Sequence, residues 1–406
     1  ASSSPRPWRL SGFRFFWLGQ SLGVFGGQIS EFTIPSVAIL VLRADPVAVG
    51  GLRAVQLLPY LIFGLLIGAL SDRTSRRRLI LAAAMGRALV LASIPVAAAL
   101  HGLSLSLLYL VAVVHGTLSV VFNVTCQAYL PELVERPQLA DANVSLQFSR
   151  SAIEIGSPAV SGLMIQWLGA ANAVVADALS HLSAVLAISR LPASPASRTA
   201  SAGRWWSLGR QIREGLALVL REPTIRAVTA TSTSLNFGYS MAQAVLLLFA
   251  YRELRLSPAV VGSLLALGSL GFVLGAAMAS PLSRRFGLER MLGASGLMIG
   301  VGLLVLPLAG LGPAGPLLVT SQFLVSMQFP MYNANQITLR QQRTPIQLQG
   351  RVNATVRTVG MGFVPVASAL AGLLGVRLGL APTIAIGGLI AIVSPLWLLG
   401  SRRPGR

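Results

Sequence analysis

Stretches of about 19 or more residues with almost no charge recur along the whole chain. No other feature restricts the fold so severely. A hydrocarbon core of about 30 Å leaves only helices and closed barrels able to satisfy the backbone within the lipid. Their length and apolar character make helices the expectation. They fall at 13–42, 47–71, 79–100, 105–129, 142–168 and 170–189, then at 224–250, 257–282, 291–310, 315–339, 352–377 and 381–399. The chain is 54% hydrophobic and only 11% charged, against roughly 25% charged in soluble domains. We therefore expect an all-α membrane protein of twelve transmembrane helices in two pseudo-symmetric six-helix bundles.

The arginines give an orientation. All 32 basic residues are Arg, giving a formal net charge of +20. A basic chain can signal nucleic-acid binding, but that needs a continuous basic face, and here the charges sit in short segments between apolar runs. Alternate loops hold most of them, at Arg73, Arg76, Arg77 and Arg78, at Arg136, at Arg284, Arg285 and Arg290, and at Arg340, Arg343 and Arg351. The opposite side has Arg43, Arg53, Arg252, Arg255 and Arg377. By the positive-inside rule both termini are cytoplasmic. The first residues lack a cleavage site after a short apolar core, so we expect no removable signal peptide. The partners expected are a lipid bilayer and a small-molecule substrate, with no nucleic acid and a monomeric state. The single Cys126 excludes an intramolecular disulfide and reads as a small buried hydrophobe.

Residues 1–190 form the expected N-terminal bundle, 191–222 a linker, and 223–406 the C-terminal bundle. Within the linker, Leu208, Ile212, Leu216 and Val219 share one face after Trp205 and Trp206. That pattern predicts an amphipathic helix on the inner membrane surface. The halves also repeat. Leu70-Ser71-Asp72-Arg73 is echoed by Leu282-Ser283-Arg284-Arg285 at an offset of 212. Asp141-Ala142-Asn143-Val144-Ser145 is matched by Arg351-Val352-Asn353-Ala354-Thr355, and Asn123 by Asn333, at an offset of 210. Three pairs in order at nearly one offset indicate a duplicated six-span unit.

The loop after the second span reads Gly68-Ala69-Leu70-Ser71-Asp72-Arg73-Thr74-Ser75-Arg76-Arg77-Arg78-Leu79-Ile80. It resembles the signature loop of the major facilitator superfamily, departing at Ser75, where the family prefers Gly. Phe15-Phe16-Trp17-Leu18-Gly19-Gln20-Ser21, Gln127-Ala128-Tyr129-Leu130-Pro131, Glu214-Gly215-Leu216 and Gly350-Arg351-Val352-Asn353-Ala354 resemble a bacterial efflux branch that includes macrolide and siderophore exporters. The resemblance implies proton-coupled antiport by rocking of two bundles in the bacterial cytoplasmic membrane. It implies a cavity lined mainly by the first, fourth, seventh and tenth helices. No cofactor is expected; the proton gradient supplies the energy.

Site residues follow from these two readings. Gly68 lets the second helix approach a neighbour closely. Asp72 can accept bonds from a helix N-terminus or an arginine; the resemblance implies a conformational gate with Arg351 and Arg357, supported by Arg73, Arg76 and Arg77. Ionisable groups within spans cost roughly 2.5–3.5 kcal/mol on insertion scales. Glu31, on the first span, is a candidate proton carrier and substrate contact. Arg150 and Glu154 lie one turn apart and can pair, or exchange partners during a proton cycle. Asp177, His115 and His181 read as structural, leaving Arg87 and Arg357 as the other internal charges.

Polar and aromatic residues on the expected cavity helices are candidate substrate contacts: Phe122, Asn123 and Gln127 on the fourth, Asn236, Phe237, Tyr239 and Gln243 on the seventh, and Met327, Tyr332, Asn333 and Gln336 on the tenth. Methionine repacks easily, which suits tolerant recognition. No phosphate-cradling loop or nucleophile constellation is present, so an enzyme and an ATP-driven pump are disfavoured. The expected function is secondary-active efflux of small amphipathic molecules. The alternatives are a proton-coupled uptake porter for a small metabolite, or a lipid or siderophore exporter on the same fold.

Overall fold

The computed structural model describes residues 7–71, 74–191, 216–345 and 348–399. Every stretch read as a span is helical. The helices are α1 (Ser11–Ser36), α2 (Pro46–Ser71), α3 (Arg76–Ala99), α4 (Leu105–Leu133), α5 (Leu139–Leu168), α6 (Ala170–Ser189) and α7 (Pro223–Leu248). Then follow α8 (Pro258–Ser269 and Gly271–Phe286), α9 (Leu288–Leu308), α10 (Ala314–Arg343), α11 (Gln349–Gly362 and Val364–Arg377) and α12 (Leu380–Val393 and Leu396–Leu399). Among the described residues nine candidate spans are long and apolar enough to cross a membrane by composition alone. The helices that fall short are α5, α7 and α10, which carry many of the chain's internal polar residues.

The chain divides into two compact units. Residues 1–44, 55–200 and 257–263 form the first; residues 45–54, 201–256 and 264–406 form the second. In the first, α1 packs on α5 and α6, and α3 on α4 and α6. Its core gathers Phe13, Phe16, Phe122, Cys126, Tyr129 and Ile188, all buried. In the second, α7 packs on α11 and α12, and α9 on α10 and α12. The neighbour scheme is the same in both, as a duplicated six-helix unit requires.

The backbone repeats in finer detail than the sequence showed. α1 ends in a π-turn, Val37–Val41, and α7 in another, Phe249–Glu253, 212 residues later. Each is followed by an arginine in the left-handed region, Arg43 and Arg255, both at φ 53°. A non-glycine residue there costs roughly 1–2 kcal/mol, so the geometry is imposed by its surroundings. Leu42 N–H donates to Val37 O at 3.2 Å, and Leu254 N–H to Phe249 O at 3.1 Å. Next come Pro46-Val47-Ala48-Val49-Gly50 and Pro258-Ala259-Val260-Val261-Gly262, again 212 apart.

Both glycines meet another glycine. Within the second unit, a Cβ on Gly50 of α2 would lie 2.8 Å from Gly372 Cα of α11. Within the first, a Cβ on Gly162 of α5 would lie 3.1 Å from Gly262 Cα of α8. Gly162 and Gly372 are themselves separated by 210 residues. Small residues at such crossings let backbones touch, which is how helices associate where no hydrophobic driving force exists between them and lipid.

The linker from 192 to 215 lies outside the described residues, so the stripe of Leu208 and Ile212 does too. Its last member departs from expectation. Val219, expected on the membrane surface, is buried with Ile225, Val352 and Val356. This apolar position is covered by α11.

Candidate functional site

The start of α3 is tied to its own bundle. Arg76 Nη1 donates to Ala128 O at 2.8 Å and to Glu132 Oε1 at 2.6 Å, reaching the end of α4. Arg77 donates to Ser189 O at the end of α6. Two arginines read as gate residues thus clamp three helices of the first unit together. Asp72 and Arg73 lie outside the described residues, Gly68 is part of α2, and Arg351 lies on α11. Arg357 is exposed on the second unit.

A half-open cleft of about 150 Å³ lies among α1, α4 and α5 of the first unit. Its polar wall includes Gln20, Gln127, Asn143, Gln147 and Arg150. Arg150 Nε donates to Glu154 Oε1 at 2.9 Å, one turn along α5. Both side chains remain substantially exposed, at 51% and 37%, so the pair faces open space and not a sealed core. Asn123 Nδ2 donates to Tyr60 OH at 2.9 Å. Glu31 is exposed on α1, whereas the preceding Ser30 is fully buried. Two of the efflux-type motifs meet in the core of the same unit: the Phe16 and Tyr129 rings sit edge to face at 5.9 Å, and Trp17 Nε1 donates to Ser149 Oγ at 2.7 Å.

In the second unit the polar residues are largely engaged with one another. Gln336 Nε2 donates to Ser232 Oγ at 2.5 Å, and Ser232 Oγ lies 3.0 Å from Tyr332 OH. Gln243 Nε2 donates to Tyr239 OH at 2.6 Å, and Tyr239 packs edge-on against Phe329 at 4.9 Å. A void of about 10 Å³ beside Gln243 and Gln322 has room for roughly one water. Asn236, Phe237 and Met327 are half-buried, and Asn333 is exposed.

Two expected substrate contacts are corrected. Phe122 is 0% exposed; its ring fills the space left by Gly23 and carries the Arg87 guanidinium 5.0 Å above it. Tyr332 is 3% exposed, with its hydroxyl taken up by Ser232. Both are packing residues, because the direction a helix face takes is fixed by its neighbours and not by residue type.

Sequence reasoning missed a convergence. Ser30, His115, Asp177 and His181, from α1, α4 and α6, form one buried group. The Ser30 hydroxyl donates to Asp177 Oδ2 and lies 3.3 Å from His115 Nε2. His181 Nε2 lies 3.3 Å from Asp177 Oδ1. Arg87 of α3 is adjacent, donating to Gly23 O at 3.0 Å. The available signal was the cost of four ionisable side chains inside apolar spans, which demands partners.

Comparison with known proteins agrees with this architecture. The family model for transmembrane secretion effectors matches residues 2–404. An uncharacterized MFS-type transporter, y4rN of Sinorhizobium fredii, is 28% identical over 60% of this chain, a match spanning 59% of that protein. The multidrug efflux pump Tap of Mycolicibacterium fortuitum is 27% identical, covering 84% of this chain and 83% of its own. Macrolide efflux protein A of Streptococcus pyogenes is 24% identical over 96% of both chains. Among solved structures, the nucleoside transporter NupG superposes with a TM-score of 0.77 at 12% identity, covering 97% of this chain and 99% of that one, a likeness of fold alone. The chain belongs to the transmembrane secretion effector family of the major facilitator superfamily, a family of multi-pass membrane transporters and not of enzymes.

Proposed function

We propose that the protein is a secondary-active exporter of small amphipathic molecules such as antibiotics or natural products, exchanging them for protons by alternating access. The observation that carries this reading is the cleft of the first unit. There uncharged polar side chains stand together with Arg150, whose partner Glu154 lies one turn along α5. Such a surface can orient a mostly apolar ligand with a few polar contacts. The efflux roles of the two named relatives support the direction. In this reading both termini are cytoplasmic and the monomer is the working unit. Asn123, Gln127, Asn236, Phe237, Tyr239, Gln243, Met327, Asn333 and Gln336 contact substrate. Glu31 carries the proton, Arg150 and Glu154 shape its field, and Asp72 with Arg73, Arg351 and Arg357 forms the gate.

The test is accumulation of a radiolabelled macrolide in bacteria lacking their main exporters, with and without the gene. Lower accumulation that a protonophore restores supports the reading. Unchanged accumulation across a panel of amphipathic antibiotics removes the efflux assignment, and raised accumulation replaces it with uptake.

A further inference from the structure

The group around Asp177 is a buried row of side chains that can hold protons, hydrogen-bonded from His115 through Ser30 to Asp177, with His181 in ion-pair contact beyond it. His115 Nε2, Ser30 Oγ, Asp177 and His181 Nε2 follow one another, with the serine hydroxyl bridging an imidazole to a carboxylate. The two rings are 5.9 Å apart. Asp177, His181 and Ser30 are 0% exposed and His115 is 3% exposed. Helix α1 makes room for them at Gly26, where a Cβ would lie 2.7 Å from His181 Cε1 and 2.9 Å from Asp177 Oδ1.

A purely structural plug saturates its polar atoms, because each unsatisfied buried group costs about 1–3 kcal/mol. This group does not. His115 Nδ1, Asp177 Oδ1 and both ring nitrogens of His181 lack a well-aligned hydrogen-bond partner in the structure. A carboxylate between two imidazoles can hold an added proton at any of three places, with little movement of heavy atoms.

The surroundings determine which groups change charge. Arg87 of α3 is 2% exposed and stays cationic, since a guanidinium does not deprotonate in proteins. It is held by Gly23 O and the Phe122 face. Among the described residues no ion pair within 4 Å joins it to Asp177. The other ionisable groups nearby are Tyr60 of α2 and Cys126 of α4, with Glu31 of α1 and Arg150 of α5, which lines the cleft, beyond Tyr60. With Asp177 ionised and both histidines neutral, Arg87 and the row sum to zero charge; one added proton leaves a single positive charge. Glu31, adjacent to Ser30 in sequence, is the exposed group next to this row.

We propose that Ser30, His115, Asp177 and His181 form a proton-binding site inside the N-terminal bundle that is loaded and emptied once in each transport cycle. The ligand is a proton, and the site lies in the bundle core, apart from the cleft. The coupling part of the proposal rests on the proton-exchange reading above; the binding part does not.

Two measurements on the full chain test it. The protein has three histidines, and His101 is exposed in a turn between α3 and α4. It serves as an internal reference in NMR of isotope-labelled histidine in lipid nanodiscs. Between about pH 5 and 8, the His115 and His181 signals shift together in one transition, and Asp177→Asn removes that shared transition. Buried histidine signals that do not move, or that move independently and ignore Asp177→Asn, overturn the site. If Asp177→Asn does not fold, Ser30→Ala decides the matter by cutting the bridge; a shared transition surviving Ser30→Ala overturns the site. The second measurement uses proteoliposomes and a radiolabelled macrolide. Asp177→Asn and His181→Gln should lose about tenfold in pH-gradient-driven transport while macrolide exchange without a gradient persists. Wild-type protein that exchanges macrolide but ignores the gradient defeats proton coupling altogether. Wild type responding to the gradient, with variants responding equally, defeats only the site's part in it.

Discussion

Two glycines on α5 separate the effect of packing from that of helix propensity. Gly156 and Gly162 lie in the same helix, six residues apart. A Cβ on Gly156 meets nothing within 4 Å, whereas one on Gly162 would lie 3.1 Å from both Gly262 Cα and the Pro258 carbonyl carbon of α8. Those neighbours are backbone atoms and cannot rotate away, and carbon atoms prefer roughly 3.5–4.0 Å. Gly162→Ala therefore forces α5 and α8 apart by several tenths of an ångström, an overpacking cost of about 1–3 kcal/mol. Replacing glycine by alanine inside a helix returns about 0.8–1 kcal/mol at either site. Propensity cancels in the comparison, so Gly156→Ala should be more stable than Gly162→Ala by about 1–3 kcal/mol, with Gly156→Ala at or above wild type. Cys126 supplies the assay: it is the single cysteine and is 1% exposed, so a thiol-reactive fluorophore reports unfolding of the first unit during a thermal ramp. Equal midpoints for the two variants would refute the close α5–α8 contact.

Other expectations concern charge. Glu31→Gln should abolish proton-driven efflux and leave the melting midpoint within the small range typical of exposed sites; unaltered efflux removes Glu31 as carrier. Asp72→Asn should slow substrate turnover several-fold with substrate affinity retained; normal turnover argues against a gate there. Arg76 and Glu132 are partly exposed, at 19% and 34%, so a double-mutant cycle should give a coupling of at most about 1 kcal/mol. Arg76→Gln should cost more than Glu132→Gln, because it also abandons the Ala128 carbonyl; equal costs would show that the ion pair dominates.

The fold was legible because lipid imposes a length and a polarity on each helix. The 170–189 span is helical at the same residues, and the other boundaries differ by a few positions where polar or proline residues extend a helix past the apolar run. The Arg150–Glu154 pair followed from spacing alone. Phe122 did not, because a large side chain beside a cavity and one filling a notch over Gly23 look alike in sequence. The Asp177 group was illegible for a related reason. Its members stand at positions 30, 115, 177 and 181, and only the packing of α1 against α6, with α4 close by, brings them together.

The paired π-turns have a historical meaning. Each accommodates one residue more than regular α-helical winding, at the same position in both halves. Deleting a residue from 37–41 would restore the regular ladder, swing everything beyond it by about 100°, and take Arg43 out of its left-handed conformation. The simplest ancestry places that surplus residue in a single six-helix precursor. Two later copies then kept the backbone irregularity while the surrounding side chains, Val-Ala-Ile-Leu-Val in one and Phe-Ala-Tyr-Arg-Glu in the other, drifted apart.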